Sequence, residues 1–248
     1  MKDIRSAVVI PARYASTRFP GKVLAKIGNV PMVERVVNQC LKTRADGVYV
    51  VTDDERVCTA LQHTGVPVVM SAPDIATGTD RVAFLAKELT ADIVINVQGD
   101  EPFINPGLID NLTAQLAEDN SLNMITACTA FDDGEDINNT SYVKVVLDSN
   151  NYALYFSRSP IPYNRDNTPI VRYKHIGIYG FKRVFLLKYA AMPSTPLESA
   201  EMLEQLRVLE NGERIKVIKT TYKPLSVDTP NDLICAEEHL KNTTITLT

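Results

Sequence analysis

The chain has 248 residues and a formal net charge of -4, long enough for one large α/β domain or a core with a lobe, and too acidic overall for broad nucleic-acid binding. Its 45% hydrophobic content is ordinary for a globular protein, and no run approaches the roughly 20 apolar residues of a bilayer span. The opening MKDIRSAVVIPAR breaks its short apolar run with Pro and Arg, which fits neither a signal h-region nor a cleavage site, so a cytoplasmic protein without membrane contact is expected.

Taken in order, SAVVIPA predicts a first strand, and Met32, Val33, Val36, Val37, Cys40 and Leu41 repeat at helical spacing behind Pro31. GVYVVTD predicts a second strand, DERVCTALQHTG a helix closed by Gly65, and VPVVMS a third strand. GTDRVAFLAKEL follows as a helix, DIVINVQGDEP as a buried strand stopped by Pro102, and PGLIDNLTAQLAED as another helix. This alternation is that of βαβ units and a mostly parallel sheet.

After Asn120 the pattern changes. NMITACTAF, YVKVVLD, YALYFSR and HIGIYGF are strand-like runs with hairpin-type loops, which predicts an antiparallel or mixed extension of the sheet. VFLLKYAAM and ESAEMLEQLRVLENG then predict two helices, the second closed by Gly212; IKVIKTTY predicts a strand and PNDLICAEEHL a last helix. No repeat, low-complexity tract or linker marks a boundary, so a single domain over residues 1–248 is expected.

Charge is unevenly spread. Ile4 to Val33 holds five Lys/Arg and no Asp/Glu, and Tyr142 to Arg183 holds seven Lys/Arg against Asp148 and Asp166. Brought together, these segments make a cationic pocket for a small polyanion. The four cysteines, Cys40, Cys58, Cys128 and Cys235, form no C-x-x-C pair, so reduced thiols are expected rather than a zinc or redox motif.

In open α/β sheets ligands bind outside the carboxyl ends of the strands. The loop Pro11 to Lys22, the turn Thr52-Asp53-Asp54 and the turn Gln98-Gly99-Asp100-Glu101 all leave such ends and should meet at one crevice. Arg13, Arg18 and Lys22 can neutralise phosphate oxygens, while Ser16 and Thr17 add hydroxyl donors. A solvated basic loop is the plain alternative, and the loop's position after a buried strand favours phosphate. Neither a Walker A loop nor a G-x-G-x-x-G turn is present, which disfavours P-loop kinases and NAD enzymes. Asp100 emerges from an apolar strand into the crevice and suits magnesium, which binds through one or two carboxylates plus substrate phosphates. Asp228 in SVDTP could be a second ligand, although its local sequence favours helix capping; Asp53 and Asp54 share that ambiguity. Read alone, His175 is a structural histidine beside apolar residues, and Glu204, Gln205 and Arg207 belong to a helix whose apolar face is Met202, Leu203, Leu206 and Leu209.

The segments IPARYASTRFPGK, VVTDDERV, TGTDR, INVQGDEP, KVVLDSNNYALYFSRSPIP, HIGIYGF, LEQLRVLENG and SVDTP occur in the order seen in the CMP-Kdo synthetases (3-deoxy-manno-octulosonate cytidylyltransferases), which the chain resembles from about Ala7 to Leu240. The resemblance implies a Rossmann-like nucleotidyltransferase of glycosyltransferase-A type. It also implies a homodimer with a dimerisation and sugar-binding sub-region at about 123–182. The implied reaction joins CMP from CTP to the anomeric hydroxyl of the sugar acid Kdo, with Mg²⁺, for lipopolysaccharide biosynthesis. Carried over by motif, Arg13, Ser16 and Lys22 resemble triphosphate-binding residues, with Arg18 beside them. Backbone at Pro11 and Ala12, with Gly78, Thr79 and Arg81, resembles the cytidine site. Asp100 and Asp228 match the metal-binding aspartates, so Lys22, Arg13, Asp100 and Asp228 are the implied catalytic set. Gln98, Arg158, His175, Tyr179, Glu204 and Gln205 match the sugar-acid pocket. The segment between Pro162 and Tyr173 is shorter than in many members, and Asp80 stands where Glu is also common. Related readings are a cytidylyltransferase for 8-amino-Kdo or another sugar acid, or a glycosyltransferase of the same fold.

Overall fold

The computed structural model describes residues 4–15, 19–75 and 77–245. β1 (Ser6–Pro11) is buried along its whole length and leads through a 3-10 turn (Lys22–Leu24) to a small hairpin, β2 (Lys26–Ile27) and β3 (Val30–Pro31). α1 (Met32–Cys40), β4 (Gly47–Thr52), α2 (Glu55–Leu61), β5 (Val68–Met70), α3 (Gly78–Ala86), β6 (Ile93–Asn96) and α4 (Pro106–Glu118) follow. The second half holds β7 (Met124–Ala130), β8 (Lys144–Leu147), β9 (Ala153–Ser157), β10 (Tyr173–Lys182), α5 (Arg183–Ala190), α6 (Pro196–Glu201), α7 (Leu206–Glu210), β11 (Ile215–Thr220) and α8 (Pro230–Ile245).

Among the described residues, nine strands form one sheet whose main path runs β11-β7-β10-β6-β1-β4-β5, with β8 on β10 and β9 on β8. β6, β1, β4 and β5 are mutually parallel, so the carboxyl ends of the first-half strands share one edge of the sheet. β10 runs antiparallel to both β6 and β7 and joins the two halves, as the expected mixed extension requires. No described helix is long and apolar enough to cross a membrane.

Side-chain alternation puts the sheet between two layers. Val8, Ile10 and Ile95 face α1 and α4 (Val33, Val37, Leu112, Leu116), whereas Val9, Val94 and Phe181 face α3 and α5 (Val82, Leu186). Full burial on both faces explains why these strands read as unbroken apolar runs. A third cluster, Ile27, Met32, Val227 and Ala236, packs α8 against the hairpin, where Gly28 N also donates to Glu237 Oε1 at 2.8 Å.

Two expectations are corrected. β6 ends at Asn96 rather than running to Pro102, because Gln98–Glu101 turns (Glu101 N to Gln98 O, 3.2 Å) and Gly99 passes so close to β1 that a Cβ there would sit 3.0 Å from Pro11 O. The segment ESAEMLEQLRVLENG is two short helices, not one, broken at Met202 in the left-handed region (φ 54°). Arg158 satisfies the carbonyls exposed at the break, its Nε donating to Glu201 O at 2.9 Å and its Nη2 to Met202 O at 3.4 Å. Those tertiary bonds override the local helical pattern and leave Met202 77% exposed instead of on an apolar face.

Candidate active site

The strand edge opens into a cavity of about 660 Å³. Pro11, Arg13 and Lys22 come to its wall from the first loop, Gly78 and Arg81 from α3, and Gln98, Gly99 and Asp100 from the turn after β6. Tyr179, Glu204 and Asp228 are also on the wall. Two of the three turns expected to converge line this cavity; the Thr52-Asp53-Asp54 turn contributes no wall residue, and Asp53 instead stands behind Arg81.

At one end Lys22 Nζ lies 2.5 Å from Asp100 Oδ2 and 2.8 Å from Asp228 Oδ1. Burial works against the ammonium, yet the two carboxylates outweigh it and hold its pKa above the ordinary lysine value. Val227 N donates to Asp100 O at 3.0 Å, which fixes the Asp228 segment beside the β6 turn. The capping alternative for Asp228 is settled by its neighbours. Asp232 Oδ2 accepts from Thr229 N at 2.8 Å while Thr229 Oγ1 accepts from Asp232 N at 3.3 Å, so that pair carries the cap of α8. Asp54, by contrast, is a cap: its carboxylate accepts from Arg56 N at 2.9 Å at the start of α2.

Behind this pair Glu101 is 7% exposed, with Ser226 Oγ donating to its Oε1 and no partner to Oε2 among the described residues. Burial, with Asp100 and Asp228 adding to it, pushes its carboxyl up to about 8, so it is held neutral near pH 7.

At the other end a hydrogen-bond chain crosses the floor. Gln98 Nε2 donates to Asn96 Oδ1 (3.0 Å), Asn96 Nδ2 to Thr79 Oγ1 (3.2 Å), and Thr79 Oγ1 to Glu204 Oε1 (2.5 Å). Burial raises the Glu204 pKa, and the Thr79 hydroxyl partly opposes it. Thr79 is 1% exposed and acts within this chain, behind the wall, rather than on it. A Cβ on Gly78 would sit 3.2 Å from Gln98 Oε1, so the Gln98 amide would have to give by a few tenths of an ångström.

Comparison with known proteins gives the same family. A family model described as "Cytidylyltransferase" matches residues 7–215. The 3-deoxy-manno-octulosonate cytidylyltransferase of Geotalea daltonii is 47% identical over 251 residues, covering 96% of this chain and 99% of that protein. That of Geobacter sulfurreducens is 46% identical, covering 94% and 98%. The chain belongs to the 3-deoxy-manno-octulosonate cytidylyltransferase family. A solved structure described as CMP:2-keto-3-deoxy-manno-octonic acid synthetase complexed with CTP superposes with a TM-score of 0.92 at 38% identity, covering 96% and 99%. A 4-diphosphocytidyl-2C-methyl-D-erythritol synthase at 14% identity and TM-score 0.64 shares the nucleotidyltransferase fold alone.

Within this cytidylyltransferase several residues carried over by motif are placed off the cavity wall. Ala12 is fully buried, its N–H donating to Val51 O (2.8 Å) and its carbonyl accepting from Thr52 Oγ1 (2.6 Å), so it anchors the loop from behind. Arg158 is committed to backbone carbonyls of Thr140, Glu201 and Met202. His175 packs edge-on to Phe156 (5.0 Å between centroids), and its Nε2 lies 2.8 Å from Thr126 Oγ1. Since that hydroxyl donates to Ile178 O at 2.7 Å, its lone pairs accept the His175 Nε2–H, which sets a neutral tautomer; burial lowers the ring's pKa to about 3. Gln205 is buried with Nε2 unpartnered among the described residues. Ser16 and Arg18, with Thr17, lie outside the described residues.

Sequence reasoning passed over Glu198, Ser194 and Ser199, which line the cavity from α6 and the turn before it. Glu198 is held by Arg207 through two bonds, Nε at 2.8 Å and Nη2 at 2.5 Å, and caps α6 with Thr195. The T-x-x-E spacing at Thr195 is that of a capping box, which says nothing of Glu198 also reaching the cavity.

Proposed function

We propose that this protein transfers CMP from CTP to the anomeric hydroxyl of 3-deoxy-manno-octulosonate, releasing pyrophosphate. The observation that carries the reading is the meeting of Lys22, Asp100 and Asp228 at one end of a cavity whose rim bears Arg13, in a chain 47% identical to named Kdo cytidylyltransferases. The anomeric oxygen attacks the α-phosphorus of CTP; the new P–O bond forms as the bond to pyrophosphate breaks, and the hydroxyl proton is released.

Arg13 and Lys22 bind the triphosphate and offset the negative charge that builds on the leaving pyrophosphate. Gly78 and Arg81, with Pro11, form the cytidine side, and Gln98, Tyr179 and Glu204 offer polar groups to the sugar acid. Bringing a carboxylate and a triphosphate together is itself opposed by repulsion, so positioning and fixed cations supply much of the catalysis.

The donor set fits Mg²⁺. Both carboxylates reach a single cation position, now the Lys22 ammonium, and two hard oxygen ligands are what this ion takes where phosphates complete its shell. Asp100 and Asp228 would hold it. Bound there, the ion supplies positive charge against the phosphates and lowers the pKa of a nearby hydroxyl. The homodimer belongs to the same proposal, and exposed Leu154, Tyr163 and Val171 in the 123–182 sub-region supply apolar surface for it.

Purified protein with CTP, Mg²⁺ and Kdo should release pyrophosphate, and Asp100→Asn should abolish release while circular dichroism shows the fold intact. No pyrophosphate across CTP, UTP and a panel of sugar acids, 8-amino-Kdo included, would sink the transferase reading.

A further inference from the structure

Two arginines and a lysine on the cavity wall come from distant parts of the chain, yet one carboxylate behind the wall touches the elements that carry all three. Asp53, at the end of β4, accepts from Tyr14 N at Oδ1 (3.2 Å) and from Arg81 Nη2 at Oδ2 (3.1 Å). Its side chain is 10% exposed and that of Arg81 2%, so this is a largely buried ion pair beside the cavity. Arg81 is held a second time by Ser71 Oγ, which itself donates to Thr52 O at 3.1 Å.

Tyr14 is the stem of the loop between the two strands' ends. Gly21 N donates to Tyr14 O at 3.1 Å, closing the loop between Arg13 and Lys22. Gly21 adopts φ 70°, and a Cβ there would fall 2.9 Å from the Tyr14 ring, so the ring lies flush against the backbone. From the other side Arg56 stacks on that ring, 3.4 Å from its centroid, and Asp54 aims the guanidinium with bonds of 2.8 and 2.6 Å. The adjacent acids in TDDER thus divide the work: Asp54 caps α2 and orients Arg56, while Asp53 reaches forward to the stem.

We propose that Asp53 is a positioning residue for the nucleotide, tying the Tyr14–Gly21 stem of the phosphate loop to Arg81 so that the triphosphate and base sides of the site keep a fixed separation. The inference rests on the cytidylyltransferase reading. A buried ion pair is weak evidence for stability on its own, because an apolar replacement often does as well. Its geometry here, one carboxylate bonded to two parts of a ligand cavity, is what positioning requires.

The test is calorimetric titration of CTP into wild type, Asp53→Asn and Asp53→Glu, with steady-state kinetics in both substrates. Wild-type protein that neither binds CTP nor releases pyrophosphate sinks the functional reading itself, separately from this one. Given wild-type binding, Asp53→Asn keeps an acceptor for Tyr14 N but loses the charge facing Arg81. It should weaken CTP binding by at least about 10-fold, the scale of one hydrogen bond to a charged group, while the KM for the sugar acid moves less than about 2-fold. Asp53→Glu keeps the charge but displaces both acceptors by a methylene, and should weaken CTP binding by about 3-fold or more. A folded variant with wild-type CTP affinity, even one with a lowered melting temperature, overturns the proposal, as does equal loss in the two substrates. If Asp53→Asn does not fold, the result from Asp53→Glu decides.

Discussion

Gly180→Ala tests whether the strand joining the two halves of the sheet has the packing described. Gly180 lies in β10 opposite Ile95 on β6 and Ile125 on β7. An added methyl would meet Ile125 Cγ2 at 2.8 Å and the Cδ1 atoms of Ile95 and Leu116 at 2.9 Å each. Carbon atoms prefer roughly 3.5–4.0 Å, so all three neighbours must retreat by about 0.6 Å or more. The two Cδ1 atoms are chain ends and can swing. Ile125 Cγ2 sits on Cβ and can yield only by leaving its rotamer or moving β7. Overpacking of this kind costs about 1–3 kcal/mol, against which the loss of glycine's unfolded-state freedom returns about 0.4–1 kcal/mol. A net loss of about 1–2 kcal/mol lowers Tm by roughly 2–8 °C in a chain of this size. Thermal melts followed by circular dichroism read this directly. Ile95→Val removes one clashing atom, so in the double variant the two losses should sum to less than their separate values. A Tm within 1 °C of wild type, or strict additivity with Ile95→Val, would refute the packing argument.

His175 predicts a pH dependence. Its folded pKa of about 3 lies below the unfolded value of about 6.5, so the unfolded chain takes up the extra proton first. The stability it contributes is therefore full above about pH 6.5 and is lost as pH falls toward 3, by at most about 1.4 kcal/mol per unit and less for its partial exposure. Urea denaturation of His175→Gln between pH 6.5 and 4 should show a shallower slope than wild type; parallel slopes count against the assignment. Arg207→Met leaves the Glu198 carboxylate without its two-pronged partner. It should cost about 3–5 kcal/mol in urea denaturation and lower kcat/KM through the displaced wall, whereas a loss under 1 kcal/mol contradicts the buried pair.

Burial on both faces made β1 and β6 legible as unbroken apolar runs, and the common direction of β1, β4 and β6 followed from the intervening helices. Asp100 was readable as a crevice residue for a related reason, since the turn that follows such a strand opens at its carboxyl end, although Val97, Gln98 and Gly99 separate it from β6. Asp228 was not: its local sequence describes a cap, and only the Thr229–Asp232 bonds and the contact with Lys22, 206 positions away, show where its carboxylate goes. Family likeness supplied that residue where spacing alone could not. The break at Met202 was hidden because the bonds that stabilise it come from Arg158, and nothing in ESAEMLEQLRVLENG encodes them. The β2–β3 hairpin was passed over because its strands have two residues each, too few for any period to register.

The antiparallel placement of β10 explains how the cavity edge and the strand extension come to lie on one wall. Its ten residues reach roughly 34 Å, further than β6 alone extends. Tyr179 to Lys182 pair with β6, while Tyr173 and Lys174 pair with β8 along the same edge. Between these ladders the register against β7 shifts from Ile176 to Tyr179, and it is here that Gly177 and Tyr179 come to the cavity wall. A continuous ladder would have filled this stretch with a neighbouring strand. A bulge beside a gap instead brings Tyr179 to the cavity, as bulges near active sites do. Were β10 parallel to β6, Gly177 and Tyr179 would not meet the carboxyl end of β6 while the same strand continued beyond it to carry β8 and β9. Reversed within the main path of the sheet, β10 thus lets the strand-end edge and the extension share a wall.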